Sequence, residues 1–402
     1  LPKYKYRARG LDGTETKGYE DAAGEEELYE KLKAAGQILI SCSEKKENRS
    51  EKRLKPAVLA DFCRQLGTLL TAGVSLVRAL NIIAQERNLK PRSRGIYENV
   101  LRLIRQGVPL SEAMESQGPA FPEILIYMFR SAEASGSLDK TAIRMAVHFE
   151  KEHRLNSKVK NAMIYPLILI VMVVAVVIFI VSYIIPQFSE VFDTMEQLPL
   201  PTRMVLGISD TIRSHWLLII IILLLAGVIL SFVFRIPQVR LRMDQLKLKL
   251  PVIGKLLRTI YTARFARTLS SLYSSGLPII TALQVGKRTV GNSYIESQFE
   301  ASIRSVRAGE TLASSLALID GFENRLASTI LIGEETGSLD SMLDVIADAL
   351  EYDAELAITK LTTLLEPVLI IVMGVIIGFI MIAVLLPIFQ SYSAIENSGG
   401  EY

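Results

Sequence analysis

The sequence predicts an all-α integral membrane protein: two homologous cytoplasmic six-helix bundles, three transmembrane helices and a small α+β N-terminal domain. Three observations carry this. Residues 59–188 and 262–390 present nearly the same pattern twice. Each copy ends in an uncharged apolar run, and a third run lies between them. The first 43 residues show strand-like alternation instead.

The duplication is read residue by residue. Phe62, Leu66, Leu69 and Leu70 recur 203 residues later as Phe265, Leu269, Leu272 and Tyr273. Ala132-Glu-Ala-Ser-Gly-Ser-Leu-Asp139 recurs 201 residues later as Gly333-Glu-Glu-Thr-Gly-Ser-Leu-Asp340. Pro166 and Pro186 bracket the first run as Pro367 and Pro387 bracket the last, 20 residues apart in both. The drift in offset places two lost residues in loops of the second copy.

Taken in order, residues 1–43 form the small domain. Lys3–Arg9 alternates as a strand, Asp12-Gly13 is a hairpin turn and Thr14–Tyr19 pairs back. Glu25–Ala35 is a helix closed by Gly36, and Ile38–Ser41 a third strand. Residues 44–56 are almost wholly charged or polar up to Pro56, a linker composition. Cys42 and Cys63 both fall on the side assigned below to the cytoplasm, so free thiols are expected. The polar N-terminus carries no secretory leader pattern, although the chain starts at Leu1 rather than at methionine.

The first bundle, 57–161, is expected to hold helices near 57–71, 75–86, 94–106, 110–117, 122–134 and 138–160. Leu59, Phe62, Leu66, Leu69 and Leu70 mark the core face of the first. Breaks fall at Gly73, Gly107 and Gly136, and at Gly276, Gly309 and Gly337 in the second bundle, 235–366. The repeated Glu-x-x-Gly-Ser-Leu-Asp is the candidate junction or partner motif: Glu133, Gly136, Leu138 and Asp139, then Glu334, Gly337, Leu339 and Asp340. Structurally, Gly136 ends one helix and Ser137 caps the next. Functionally, its paired carboxylates suit a partner's basic groups or, more weakly, a divalent cation.

The apolar runs are Ala162–Ile185, Trp216–Phe234 and Pro367–Phe389, of 24, 19 and 23 residues. At about 1.5 Å per residue each crosses a hydrocarbon core of roughly 30 Å. Lys151, Arg154, Lys158 and Lys160 precede the first, and Arg235, Arg240, Arg242, Lys247 and Lys249 follow the second. The short loop 186–215 has more acidic than basic residues, and the tail 390–402 has no Lys or Arg. The bias places the N-terminus and both bundles in the cytoplasm, with the loop and tail outside. The middle run returns the chain so that the second copy can repeat the first. The basic clusters suit anionic lipid headgroups. With a net charge of +3, nothing suggests nucleic acid.

Catalytic patterns are absent from the sequence. Gly286-Lys287 is followed by Arg288 and lacks the earlier P-loop glycine. His148 and His153 lie five apart, off the i, i+4 spacing of a metal pair, and both are expected to be solvated. His215 stands alone, and no nucleophile elbow occurs. The chain is read as no enzyme, with no cofactor or metal. Helix packing is the remaining signal: Gly374 and Gly378 in the third run, and the weaker pair Gly227 and Ser231 in the second.

Those repeated residues also carry a resemblance. Phe62…Leu70-Thr-Ala-Gly73-Val-Ser-Leu, Gly107…Leu110, Glu133…Gly136-Ser-Leu-Asp139 and Tyr165-Pro166, with their second copies, resemble the secretion F-protein family, the inner-membrane platforms of type II secretion systems and type IV pili. Glu366-Pro367 replaces Tyr-Pro in the second copy. The resemblance implies a non-enzymatic scaffold in the bacterial inner membrane. Its implied partners are a hexameric assembly ATPase, other inner-membrane subunits and pilin or pseudopilin, with self-association as a dimer. A transporter or channel is the alternative; it would call for polar spans or an inverted repeat, which the sequence lacks. A membrane-bound signalling enzyme would need nucleotide or nucleophile motifs that are equally missing.

Overall fold

The structure, a computed structural model, describes residues 3–10, 15–22, 24–44, 52–188, 199–234 and 236–398. The chain divides into two compact units, Leu1–Val147 and His148–Tyr402.

The first unit opens with β1 (Lys3–Gly10), β2 (Glu15–Asp21), α1 (Glu25–Ala34) and β3 (Gln37–Glu44). Their antiparallel order is β2-β1-β3, with the β1–β3 register shifting between Arg7 and Ala8. Alternation sends Ala8 inward, where it meets Ala22, Leu28 and Leu32 under Tyr4, Tyr6 and Leu39. The expected turn at Asp12-Gly13 lies outside the described residues. So does most of the charged linker. Its end is tied down: Leu54 is buried and its N–H donates to the Ala120 carbonyl at 2.9 Å.

The helices of the first copy are α2 (Pro56–Thr71), α3 (Leu76–Ala84), α4 (Pro91–Arg105), α5 (Leu110–Glu115), α6 (Glu123–Ser135) and α7 (Leu138–Phe179). Proline opens α2 and α4, where a missing N–H costs nothing. Phe62 stacks on Tyr97 at 5.0 Å and tilts against Phe121 at 5.9 Å. Gly67 lets α2 approach α7 closely: a Cβ there would stand 2.9 Å from the Ile143 nitrogen.

In the second unit, α7 runs on through a π turn at Ile180–Ile184 to a short 3₁₀ turn at Ile185–Phe188. Then come α8 (Leu200–Val233), α9 (Pro237–Lys249), α10 (Ile253–Tyr273), α11 (Ile279–Gly286), α12 (Ser293–Arg307), α13 (Leu312–Ala317), α14 (Asn324–Thr336) and α15 (Leu339–Ser398). The aromatic core returns at equivalent positions, with Phe265 at 5.0 Å from both Phe299 and Phe322. Ser270 and Asp344, the counterparts of Gly67 and Ile143, are hydrogen-bonded at 3.2 Å.

The loop expected at 186–215 differs. Its described part is helical: α8 starts at Leu200 and breaks only at His215, whose φ of −125° and ψ of 20° leave the helical region. The cause is an apolar stripe, Val205 and Leu206, which packs on Val181, Ile185 and Ala383. Among the described residues two helices are long and apolar enough to cross a membrane, Leu138–Gln187 and Leu339–Pro387. A third is reached only if Leu224–Val233 and Pro237–Lys249, which meet at 96°, form one span.

Candidate functional site

The repeated acidic motif has the same construction in both units. Gly136 and Gly337 sit at φ of 67° and 64°, the left-handed conformation that closes a helix without a Cβ penalty. The N–H groups of Ser137 and Ser338 then donate back to the carbonyls of Ala132 and Gly333, each at 3.0 Å. Ser137 starts α7 by its carbonyl, which accepts from Thr141, while its hydroxyl lies 2.7 Å from that of Ser135.

Glu133 turns inward. Its carboxylate accepts from the N–H groups of Leu110 and Ser111 and from the Ser111 hydroxyl. Glu334 does the same for Leu312 at 2.6 Å and Ala313 at 2.9 Å. Each glutamate therefore caps the short helix that precedes its own, satisfying amides that have no intrahelical partner. Asp139, Asp340, Leu138 and Leu339 open the following helices. No group of three His, Cys, Asp or Glu side chains among the described residues could hold a metal ion.

A second constellation lies in the His148–Tyr402 unit, where the N-terminal parts of α7 and α15 are bridged by charge. Arg267 of α10, with 9% of its side chain exposed, bonds Asp344 at 3.0 Å, Glu351 at 2.7 Å and also Asp348. Burial opposes the charge, but hydrogen bonds and attraction from Glu351 and Asp348 outweigh it and raise the guanidinium pKa. Lys151 reaches Asp348 at 2.5 Å and Glu351 at 3.6 Å. Arg154 pairs with Glu355 at 2.8 Å, and Lys158 joins the same carboxylate. Of the four basic residues that precede the first apolar run, Lys151, Arg154 and Lys158 are thus paired within the protein.

His148 is buried, contrary to expectation, with Nδ1 3.0 Å from the Ser271 hydroxyl and the ring edge-on to Phe149. His153 is exposed beside Ser157. Burial pushes the Cys63 thiol up and keeps it protonated, the reverse of a reactive thiolate. Burial likewise raises the Tyr97 phenol.

Among the described residues, no neighbouring helix stands close to the three helix-packing glycines. A Cβ built at Gly227, Gly374 or Gly378 meets nothing within 4 Å among the described residues. Sequence reasoning missed Arg267 and its carboxylates. The signal was present as the acidic stripe Asp344, Asp348 and Glu351 on one helix face, with Arg267 four residues before Ser271.

A duplicated helical unit, each copy ending in a long apolar helix, marks a helical membrane protein. The family model described as type II secretion system protein F matches the chain twice, at residues 62–186 and 265–387. The chain belongs to that family. It is 37% identical to the type IV pilus assembly protein PilC of Thermus thermophilus, over 97% of this chain and 98% of the relative. It is 32% identical to the type II secretion system protein F of Xanthomonas campestris, over 98% and 100%. The corresponding protein of Vibrio cholerae is 30% identical over 97% and 98%.

Proposed function

We propose that this protein is the inner-membrane platform of a type IV pilus or type II secretion machine. Its two six-helix cytoplasmic bundles engage a hexameric assembly ATPase and other inner-membrane subunits. ATP-driven movement is passed through them to pilin or pseudopilin subunits as these leave the membrane for a filament. The platform itself performs no chemistry. The observation that supports this best is the end-to-end likeness to relatives named for pilus assembly and type II secretion.

In this reading the spans are Ala162–Ile185, Trp216–Phe234 and Pro367–Phe389, with the N-terminus in the cytoplasm and the C-terminal tail outside. The motif around Glu133 and Glu334 sets the angle at which each bundle delivers its span. Gly374 and Gly378 leave an open face on α15, which suits a second copy in a dimer.

Deletion of the gene tests the reading. Loss of sheared surface filaments while pilin remains in the membrane is the expected result for a pilus platform. Intact pili with exoproteins retained in the cell would assign it to type II secretion. Neither defect, in a strain without a paralogue, overturns the proposal.

A further inference from the structure

Pro186 stands in the turn that ends the first long apolar helix, Pro387 stands at the equivalent position inside α15, and each removes a backbone donor. In α15 the Ala383 carbonyl would accept from the nitrogen four residues on, which is that of Pro387 and carries no hydrogen. At the end of α7 the π turn shifts the pattern to five residues, as the bond from Ile185 N–H to the Ile180 carbonyl shows. In that pattern the Val181 carbonyl would accept from Pro186, which again has no N–H.

Both carbonyls find a donor on the same helix. The Thr202 hydroxyl donates to Ala383 O at 2.6 Å, and the Ser209 hydroxyl donates to Val181 O at 2.7 Å. Both side chains are buried, at 2% and 1% exposure. Seven residues separate them, about two turns, so they share the face that carries Val205 and Leu206. The usual alternative is realised elsewhere in the same segment: the Thr211 and Ser214 hydroxyls bond back to the carbonyls of Gly207 and Asp210, four residues earlier. Thr202 and Ser209 instead reach across.

We infer that residues 200–214 form a clamp whose two hydroxyls replace the backbone donors lost at Pro387 and Pro186, joining the last turns of the two repeat-derived spans into one body. Next to hydrocarbon an unmet carbonyl is costly, so each bond is strongly preferred once the clamp is seated. Resting on the platform reading, the consequence is that movement applied at the charged seam of α7 and α15 displaces both spans together rather than sliding one past the other.

The test uses the full-length protein in detergent, with reversible unfolding as the readout. Thr202→Val and Ser209→Ala are each expected to raise the unfolding equilibrium constant about 3- to 18-fold, the range for interhelical hydrogen bonds in membrane proteins. Matched second changes, Pro387→Ala with Thr202→Val and Pro186→Ala with Ser209→Ala, restore an intrahelical N–H and recover the loss. Crossed combinations add without coupling. If a single variant fails to fold, its matched double variant is expected to fold. Unchanged stability of the single variants, equal rescue by crossed and matched changes, or a matched double that does not fold would each overturn the clamp. None of these readouts depends on filament assembly, so the clamp and the platform reading fail independently.

Discussion

Arg154 and Glu355 occupy the same position in the two repeat copies, 201 residues apart, and they bond each other. Nε lies 2.8 Å from Oε1 and Nη2 lies 3.2 Å from Oε2. The two related helices therefore touch at an equivalent position. Here duplication has placed both partners in one chain, and divergence has made one basic and the other acidic.

Exchange of this pair is the first prediction. The Arg154 side chain is 68% exposed, so the pair contributes at most about 1 kcal/mol. Arg154→Glu alone brings a carboxylate against Glu355 and should lower the melting temperature. Adding Glu355→Arg should return most of it. Arg267→Gln is expected to cost more, about 1–3 kcal/mol, because it removes a buried guanidinium that three carboxylates share, although Asp344 and Asp348 remain solvated. Equal effects of the exposed and buried changes would contradict this ranking.

The capping glutamates make a paired prediction. Glu133→Ala and Glu334→Ala each leave amides at the start of α5 or α13 without their carboxylate, at a cost of about 1–3 kcal/mol. Gln keeps one acceptor oxygen and should recover part. Thermal unfolding of the purified protein reads this directly, and Asp139→Ala or Asp340→Ala, which leave those carboxylates untouched, are expected to cost less.

Acid stability should depend on Asp348. Burial raises its pKa, but hydrogen bonds from Lys151 and Arg267 and their charges lower it more, so the net shift is downward. A carboxyl lowered on folding contributes stability above its unfolded pKa of about 3.9 and loses it as pH falls through the folded value. Stability should therefore decline below about pH 4, with Asp348→Asn reducing proton uptake on unfolding by up to about one. An unchanged acid limb in the variant would remove Asp348 from the account.

Gly67→Ala tests the packing of α2 on α7. Alanine is the better helix former by about 1 kcal/mol. Its Cβ, however, would stand 2.7 Å from Ile143 Cδ1 and 2.9 Å from the Ile143 nitrogen. A backbone atom cannot swing aside, so a net loss of about 1–3 kcal/mol is expected. Ser270→Ala, at the equivalent position, loses only a hydrogen bond to Asp344. A stabilised Gly67→Ala protein would show that the helices lie further apart.

Leucine at Gly374 and Gly378 probes self-association. Among the described residues nothing within 4 Å opposes a side chain at either glycine, so the fold of one copy should tolerate the change. A smaller oligomer in detergent, measured by light scattering, is the expected outcome. An unchanged mass would assign the dimer contact to another face.

Much of the architecture was legible because it is written in local patterns. The 203- and 201-residue offsets, the apolar runs and the strand alternation of residues 3–9 each follow from spacing along the chain. Gly136 and Gly337 were readable as helix ends, since a glycine between two periodic segments has a local meaning. By itself the sequence determined the duplicated helical class, the apolar helices and the absence of familiar catalytic motifs. Only the tertiary structure decided where the polar groups point. It turned Glu133 and Glu334 onto neighbouring helix ends, buried His148 against Ser271, gathered Lys151 and Arg154 toward α15, and made a helix of 200–214. Periodicity reports which face of a helix is apolar. It does not report which distant amide, carbonyl or charge will meet a polar side chain, because that partner is chosen by how the helices pack.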